Sequence, residues 1–261
     1  MGHQRLGVLP RSRDWQQVIA LIPEGAEVNI VAAATSKAAE ASMIDASADP
    51  AVRHAFWLLT QIPLAARQKN FVAALGHLGL SRVPAQPTLA DIVSGMMDAI
   101  DAAIGRSRGR TDFGEMAQLS ASESLIAVVG SELRDLFGTT SDQVKLALAG
   151  LATVKQFSVL ARDYVARLAR RHLSYFLSRT LSDHVGPGRR FSSVREHRSF
   201  EEALDLHCRE TTRIIKEFSG EWFSKRIYEG GIDQEQAGRF VHAAFQKVRE
   251  ELRHRRKAEH V

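Results

Sequence analysis

Between Val154 and Phe176 the apolar positions Val154, Phe157, Ala161, Tyr164, Val165, Leu168, Tyr175 and Phe176 recur at steps of three and four. At 100° per residue this spacing gathers them on one broad stripe. Lys155, Arg162 and Arg170 fall on the opposite side, and Arg167 and Arg171 widen that basic face. The pattern predicts a long helix over 153–183 that turns its apolar stripe to a core and its basic stripe outward. Gly186-Pro187-Gly188 predicts its end, because glycine favours non-helical backbone and proline restricts the residue before it.

The other periodic segments read as helices packed around this one. Ser12 predicts a cap for a first short helix, and an alanine-rich helix follows over about 27–46. Asp49-Pro50 has the form of a cap followed by proline at the first helical position, opening a segment with Phe56, Trp57, Leu58 and Leu59 that Pro63 is expected to interrupt. Thr88, Thr140 or Ser141, Ser199 and Asp233 mark further starts, and a helix is expected over about 113–137. Gly220 is expected to break or bend the segment that contains it. No stretch alternates β-branched residues over strand length. The predicted fold is all-α, an irregular bundle of about nine helices around the long central helix (153–183). The proline-containing stretch 81–88 is the first linker, and it divides the chain into an N-terminal helical subdomain over 1–80 and a main helical domain over 88–261, or leaves one continuous domain.

Composition fits this picture, with 44% apolar and only 7% aromatic residues in 261. Cys208 is the single cysteine, so no intramolecular disulfide forms, and it is expected to pack as a small hydrophobe. No apolar run reaches the length of a membrane span, and a cytoplasmic protein is expected. Charge changes the picture more. Residues 1–154 hold 13 Lys+Arg against 15 Asp+Glu, a net −2, whereas residues 155–261 hold 22 against 15, a net +7. A basic second half suits nucleic acid or an acidic protein.

Signature motifs for nucleotide hydrolysis, dinucleotide binding, serine hydrolases and zinc peptidases are missing from the sequence. No cofactor and no metal is expected; His207 and Glu210, three apart, share a helical face but lack the spacing of a ligand set. An Arg-x4-His pattern occurs at Arg167/His172, Arg179/His184 and Arg249/His254. It resembles the signature of the HEPN ribonucleases, all-helical proteins in which arginine and histidine serve RNA cleavage, and the resemblance implies Arg179 and His184 as an alternative catalytic pair. His172, inside the apolar stripe, is expected to be a hydrogen-bonded core histidine. The favoured reading is a non-enzymatic protein that contacts nucleic acid or another polyanion through Arg162, Arg167, Arg170, Arg171, Arg189 and Arg190, with assembly into a homo- or hetero-oligomer as the other alternative. The glycines beside Arg189 and Arg190 would let backbone amides approach an anion.

Overall fold

The computed structural model describes residues 10–105, 111–133 and 138–258, with side chains described as far as residue 251. The loop arginines Arg106, Arg108 and Arg110, and the end of the helix expected to reach residue 137, lie outside the described residues. The described residues form twelve helices and no strand; one isolated bridge pairs Val185 with Phe191. No single described helix is long and apolar enough to cross a membrane.

Side-chain caps set most of the starts, each satisfying a backbone N–H that the first helical turn leaves unpaired. Ser12 accepts from the Trp15 amide to open α1 (Arg13–Leu21). Asp49 accepts from Ala51 and Val52 at α4 (Pro50–Ala66), and Asn70 accepts from Ala73 at α5 (Phe71–His77). At α6 (Leu89–Gly105) the Thr88 hydroxyl accepts from the Asp91 amide. Bonds from the Thr88 hydroxyl and amide hold the Asp91 carboxyl below its usual range. Thr111 caps α7 (Asp112–Glu132), Thr140 and Gln143 close a reciprocal capping box on α8 (Ser141–Gly150), and Thr153 caps α9 (Val154–Asp183). Asp233 accepts from Gln236 to open α12 (Gln234–Ala258).

Twelve helices among the described residues replace the expected nine, with added breaks at Ala39 and at Thr211-Thr212. The expected 27–46 helix divides at Ala39 into α2 (Val28–Ala38) and α3 (Glu40–Ala48). The segment after Ser199 in fact begins earlier: Ser193 caps α10 (Val194–Thr211). It ends at paired threonines. Thr211 and Thr212 are buried and their hydroxyls donate to the carbonyls of His207, Cys208 and Arg209, drawing acceptors away from the helical ladder. The chain restarts as α11 (Arg213–Tyr228), which runs straight through Gly220.

The bundle is not arranged about the 153–183 helix alone. Within α4, twelve of seventeen residues are buried, and Pro63 sits inside the helix without ending it. This helix packs against α3, α5, α6, α7, α8, α9 and α12, while α9 packs against α2, α4, α7, α10, α11 and α12. Six of the few aromatic rings join the two systems. Phe56 of α4 stacks on Phe240 of α12 at 4.7 Å and lies 5.5 Å from Tyr164 of α9, and Phe157 of α9 stacks on Phe223 of α11 at 4.0 Å beside Trp222. The Trp57 indole and the Gln61 amide of α4 both donate to the Ile232 carbonyl, anchoring the turn before α12.

Gly220 marks the closest approach of two helices. A Cβ there would lie 2.3 Å from the Val154 carbonyl oxygen at the start of α9. That oxygen is backbone and cannot swing aside. Gly220→Ala is therefore expected to destabilise the protein by about 1–3 kcal/mol or more, as overpacking does. At Gly238 the atoms nearest to a Cβ would belong to the Arg53 side chain, which can shift, so Gly238→Ala should cost less. Thermal melts of the two variants give the comparison, and equal midpoints would show that α11 is free to move off α9.

His172 carries a second expectation. It is buried, stacked on Phe113 at 5.0 Å, and its Nε2 lies 3.1 Å from the Ser42 hydroxyl, which itself donates to the Ala39 carbonyl. Burial lowers its pKa to about 4, with the Ala39 carbonyl pulling weakly the other way. An unfolded chain binds this proton near 6.5, so between 6.5 and 4 the unfolded state holds a proton that the native state does not. Stability is then lost as pH falls through that window, by about 3 kcal/mol for this group. Chemical denaturation of wild type and His172→Asn at pH 7 and pH 4 should show the larger loss in wild type; parallel losses would place the acid sensitivity elsewhere.

Candidate anion-binding face

The six arginines singled out by sequence fall into two separate regions. Four of them, Arg162, Arg167, Arg170 and Arg171, stand on the middle of α9. Arg189 and Arg190 lie beyond its C-terminus, about 30 Å from Arg162 at 1.5 Å of rise per residue.

Pairing distinguishes the members of the first group. Arg167 donates to Asp163 at 2.6 Å and to Glu123 of α7 at 2.9 Å, and Arg171 donates to the other Glu123 oxygen at 2.6 Å. Burial works against the Arg167 charge, but the bonds from Asp163 and Glu123 outweigh it and hold the pKa above its ordinary value. With Tyr175 donating to Asp112 and Gln156 to Glu132, these contacts form a polar seam along the antiparallel α7–α9 pair. Arg170 lies 3.5 Å from Asp205 of α10. Arg162 differs from all of these. Its Nη2 donates to the Arg209 carbonyl at 2.8 Å, and it has no acidic partner among the described residues.

Each loop arginine meets a backbone carbonyl, as Arg162 does. Gly186 and Gly188 adopt positive φ, 136° and 70°, and let the loop close through Gly186 N–H to Phe191 O and Phe191 N–H to His184 O. Arg189 donates to the Asp183 carbonyl at the end of α9, where a cation also complements the helix dipole. Arg190 donates to the Ala26 carbonyl at 3.3 Å and lies over the Phe191 ring. The Gly186, Arg189 and Phe191 amides are bonded within the loop, which closes the C-terminal end of α9.

Two basic residues that sequence reasoning missed complete the first region. The turn at Thr211-Thr212 brings Arg209, in the last turn of α10, and Lys216, in the first turn of α11, to the flank of α9. Together with Arg162, Asp163, Val159 and Ala166 they line a cleft of about 170 Å³. Asp163 is already bonded to Arg167, Arg209 is held by Asp205 at 2.9 Å, and Lys216 has no acidic partner among the described residues. Counted with its neighbours, the region holds six basic side chains, Arg162, Arg167, Arg170, Arg171, Arg209 and Lys216. They face three carboxylates, Asp163, Asp205 and Glu123. Within the cleft lining, three cations meet one carboxylate, Asp163, which is bonded to Arg167. The signal available in sequence was the basic pair flanking a double threonine, legible only if those threonines are read as a corner.

The alternative catalytic pair has a simpler description. Arg179 is exposed, His184 is the half-buried cap residue of α9, and neither side chain makes a hydrogen bond or ion pair among the described residues. Five residues apart, they point about 140° from each other around the axis. His254 of the third Arg-x4-His lies beyond the described side chains. Among the described residues no three His, Cys, Asp or Glu side chains converge as metal ligands would. Burial pushes the Cys208 thiol up to about 12, and Cys208 packs against Leu173 and Phe245 in an apolar slot closed by the Arg249–Glu40 pair. Such a thiol stays protonated and serves packing. Comparison with known proteins returned no matching family model, no matching curated protein and no matching solved structure.

The pairing pattern assigns different consequences to neighbouring arginines. Arg167→Ala leaves Asp163 without its bond and Glu123 with one fewer, so it is expected to destabilise the protein by about 1–3 kcal/mol. Arg162→Ala removes one bond at the surface and should leave the denaturation midpoint nearly unchanged. Urea titrations check the ranking, and a reversed order would mean that the seam contributes little to the fold.

Proposed function

We propose that this is a helical binding protein that receives a polyanion, nucleic acid in first place, on the face formed by α9, α10 and α11. The single observation that supports the reading is the cleft where Arg162, Arg209 and Lys216 converge while the only carboxylate in its lining is already bonded to Arg167. Donors left unpaired at a concave site attract phosphate oxygens, and guanidinium forks suit them in shape as well as charge. Arg167 and Arg171 serve mainly to fix α9 against α7. They contribute to the field of this face more than to contacts with a ligand. Arg189 and Arg190 play no part in the proposed face, since they close the far end of α9.

Phosphate contacts release counterions, so the logarithm of affinity falls linearly with the logarithm of salt, by about 0.7 to 0.9 for each contact. Fluorescence titration of labelled oligonucleotides across salt is expected to show binding with such a slope. Arg162→Ala/Lys216→Ala should flatten the slope by one to two contacts, whereas Arg189→Ala/Arg190→Ala should leave it unchanged. If wild type fails to bind at low salt, the reading is wrong and the charge serves solvation or docking to an acidic protein.

A further inference from the structure

A terminal phosphate projects from its strand and is met best at a concave site, whereas internal phosphates are met along an open face. On this face Arg167 and Arg171 are committed to Glu123, and Arg170 and Arg209 to Asp205. Lys155, Arg162, Arg213 and Lys216 have no acidic partner among the described residues. Of these four, only Arg162 and Lys216 meet at a concave position, with Val159, Ala166 and the already paired Asp163 in its lining. The side of a duplex is too broad for it; a projecting group is not.

From this geometry we infer that the cleft is a seat for a single phosphomonoester, the terminal phosphate of a nucleic-acid strand, and that an internal phosphodiester binds there more weakly. The inference rests on the polyanion reading and narrows it. A monoester carries about −1.5 to −2 charge at neutral pH and three acceptor oxygens, against −1 for a diester. The seat meets it with donors of two kinds. Arg162 is positioned by its bond to the Arg209 carbonyl, which uses one of the five guanidinium N–H groups and leaves four. Lys216 supplies a mobile ammonium from the first turn of α11. Asp205 steadies Arg209 beside them without entering the cleft lining.

The test compares one single-stranded oligothymidylate in two forms, 5′-phosphorylated and 5′-hydroxyl, with inorganic phosphate as competitor. Wild type should bind the phosphorylated strand at least about tenfold more tightly, the worth of one charge-assisted hydrogen bond. The preference should shrink as pH drops through about 6, where the monoester loses its second charge. Millimolar inorganic phosphate should erode the preference without abolishing binding of the hydroxyl strand. In Arg162→Ala/Lys216→Ala the preference should disappear at an unchanged melting temperature, and Arg189→Ala/Arg190→Ala should keep it. Should the double variant unfold, Lys216→Ala alone carries the test, since Lys216 is exposed. Equal wild-type affinity for the two strands would overturn the seat while leaving the polyanion reading standing. Failure to bind either strand would overturn both. A preference that survives in Arg162→Ala/Lys216→Ala would place the terminal-phosphate site elsewhere and end the assignment.

Discussion

A helix buried over most of its circumference must be covered on several sides, and α4 imposes that demand on the rest of the chain. Its twelve buried residues cover about 240° around the axis at 100° per residue. No single partner can satisfy them. Seven other helices therefore converge on α4, and the core becomes one continuous cluster that includes residues from before and after the 81–88 linker. The price is a scarcity of alternatives, since α9 must then find most of its cover on α7, α10 and α11.

Much of the helical class was readable because caps are local. Ser12, Asp49, Thr88, Thr140 and Asp233 announce helix starts through bonds that span two or three residues, and sequence contains such information directly. Breaks and crossings are less local. Pro63 reads as an interruption, yet in the structure it lacks only one donor and the surrounding contacts hold the last turn of α4 in place. Gly220 reads as a breaker, yet it is glycine because another backbone passes within reach of its Cβ position. Conversely, Ala39 gives no sign that it will separate two helices. Thr211 and Thr212 do give one, since paired threonines can return their hydroxyls to carbonyls one turn back.

Charge illustrates a deeper limit of sequence. Counting identifies where cations are dense, and the region 155–198 is dense in them, but counting cannot distinguish a cation that is used from one that is available. Arg167 and Arg162 sit five residues apart on the same helix. One is locked between Asp163 and Glu123, and the other meets only a carbonyl. The partner that decides Arg167 lies 44 residues away on α7, a separation that no local pattern encodes. The same holds for Arg209 and Lys216, which enter the cleft only because the chain turns between them.

The anchored turn before α12 fixes where the last helix starts. Gly230 and Gly231, both at positive φ, let the chain reverse between α11 and α12. Immediately after them, the Ile232 carbonyl receives two donors from α4, one from Trp57 and one from Gln61. Both bonds would have to break before α12 could leave. The two glycines that let the chain turn are thus followed at once by a carbonyl that α4 holds from two sides, which sets where α12 begins.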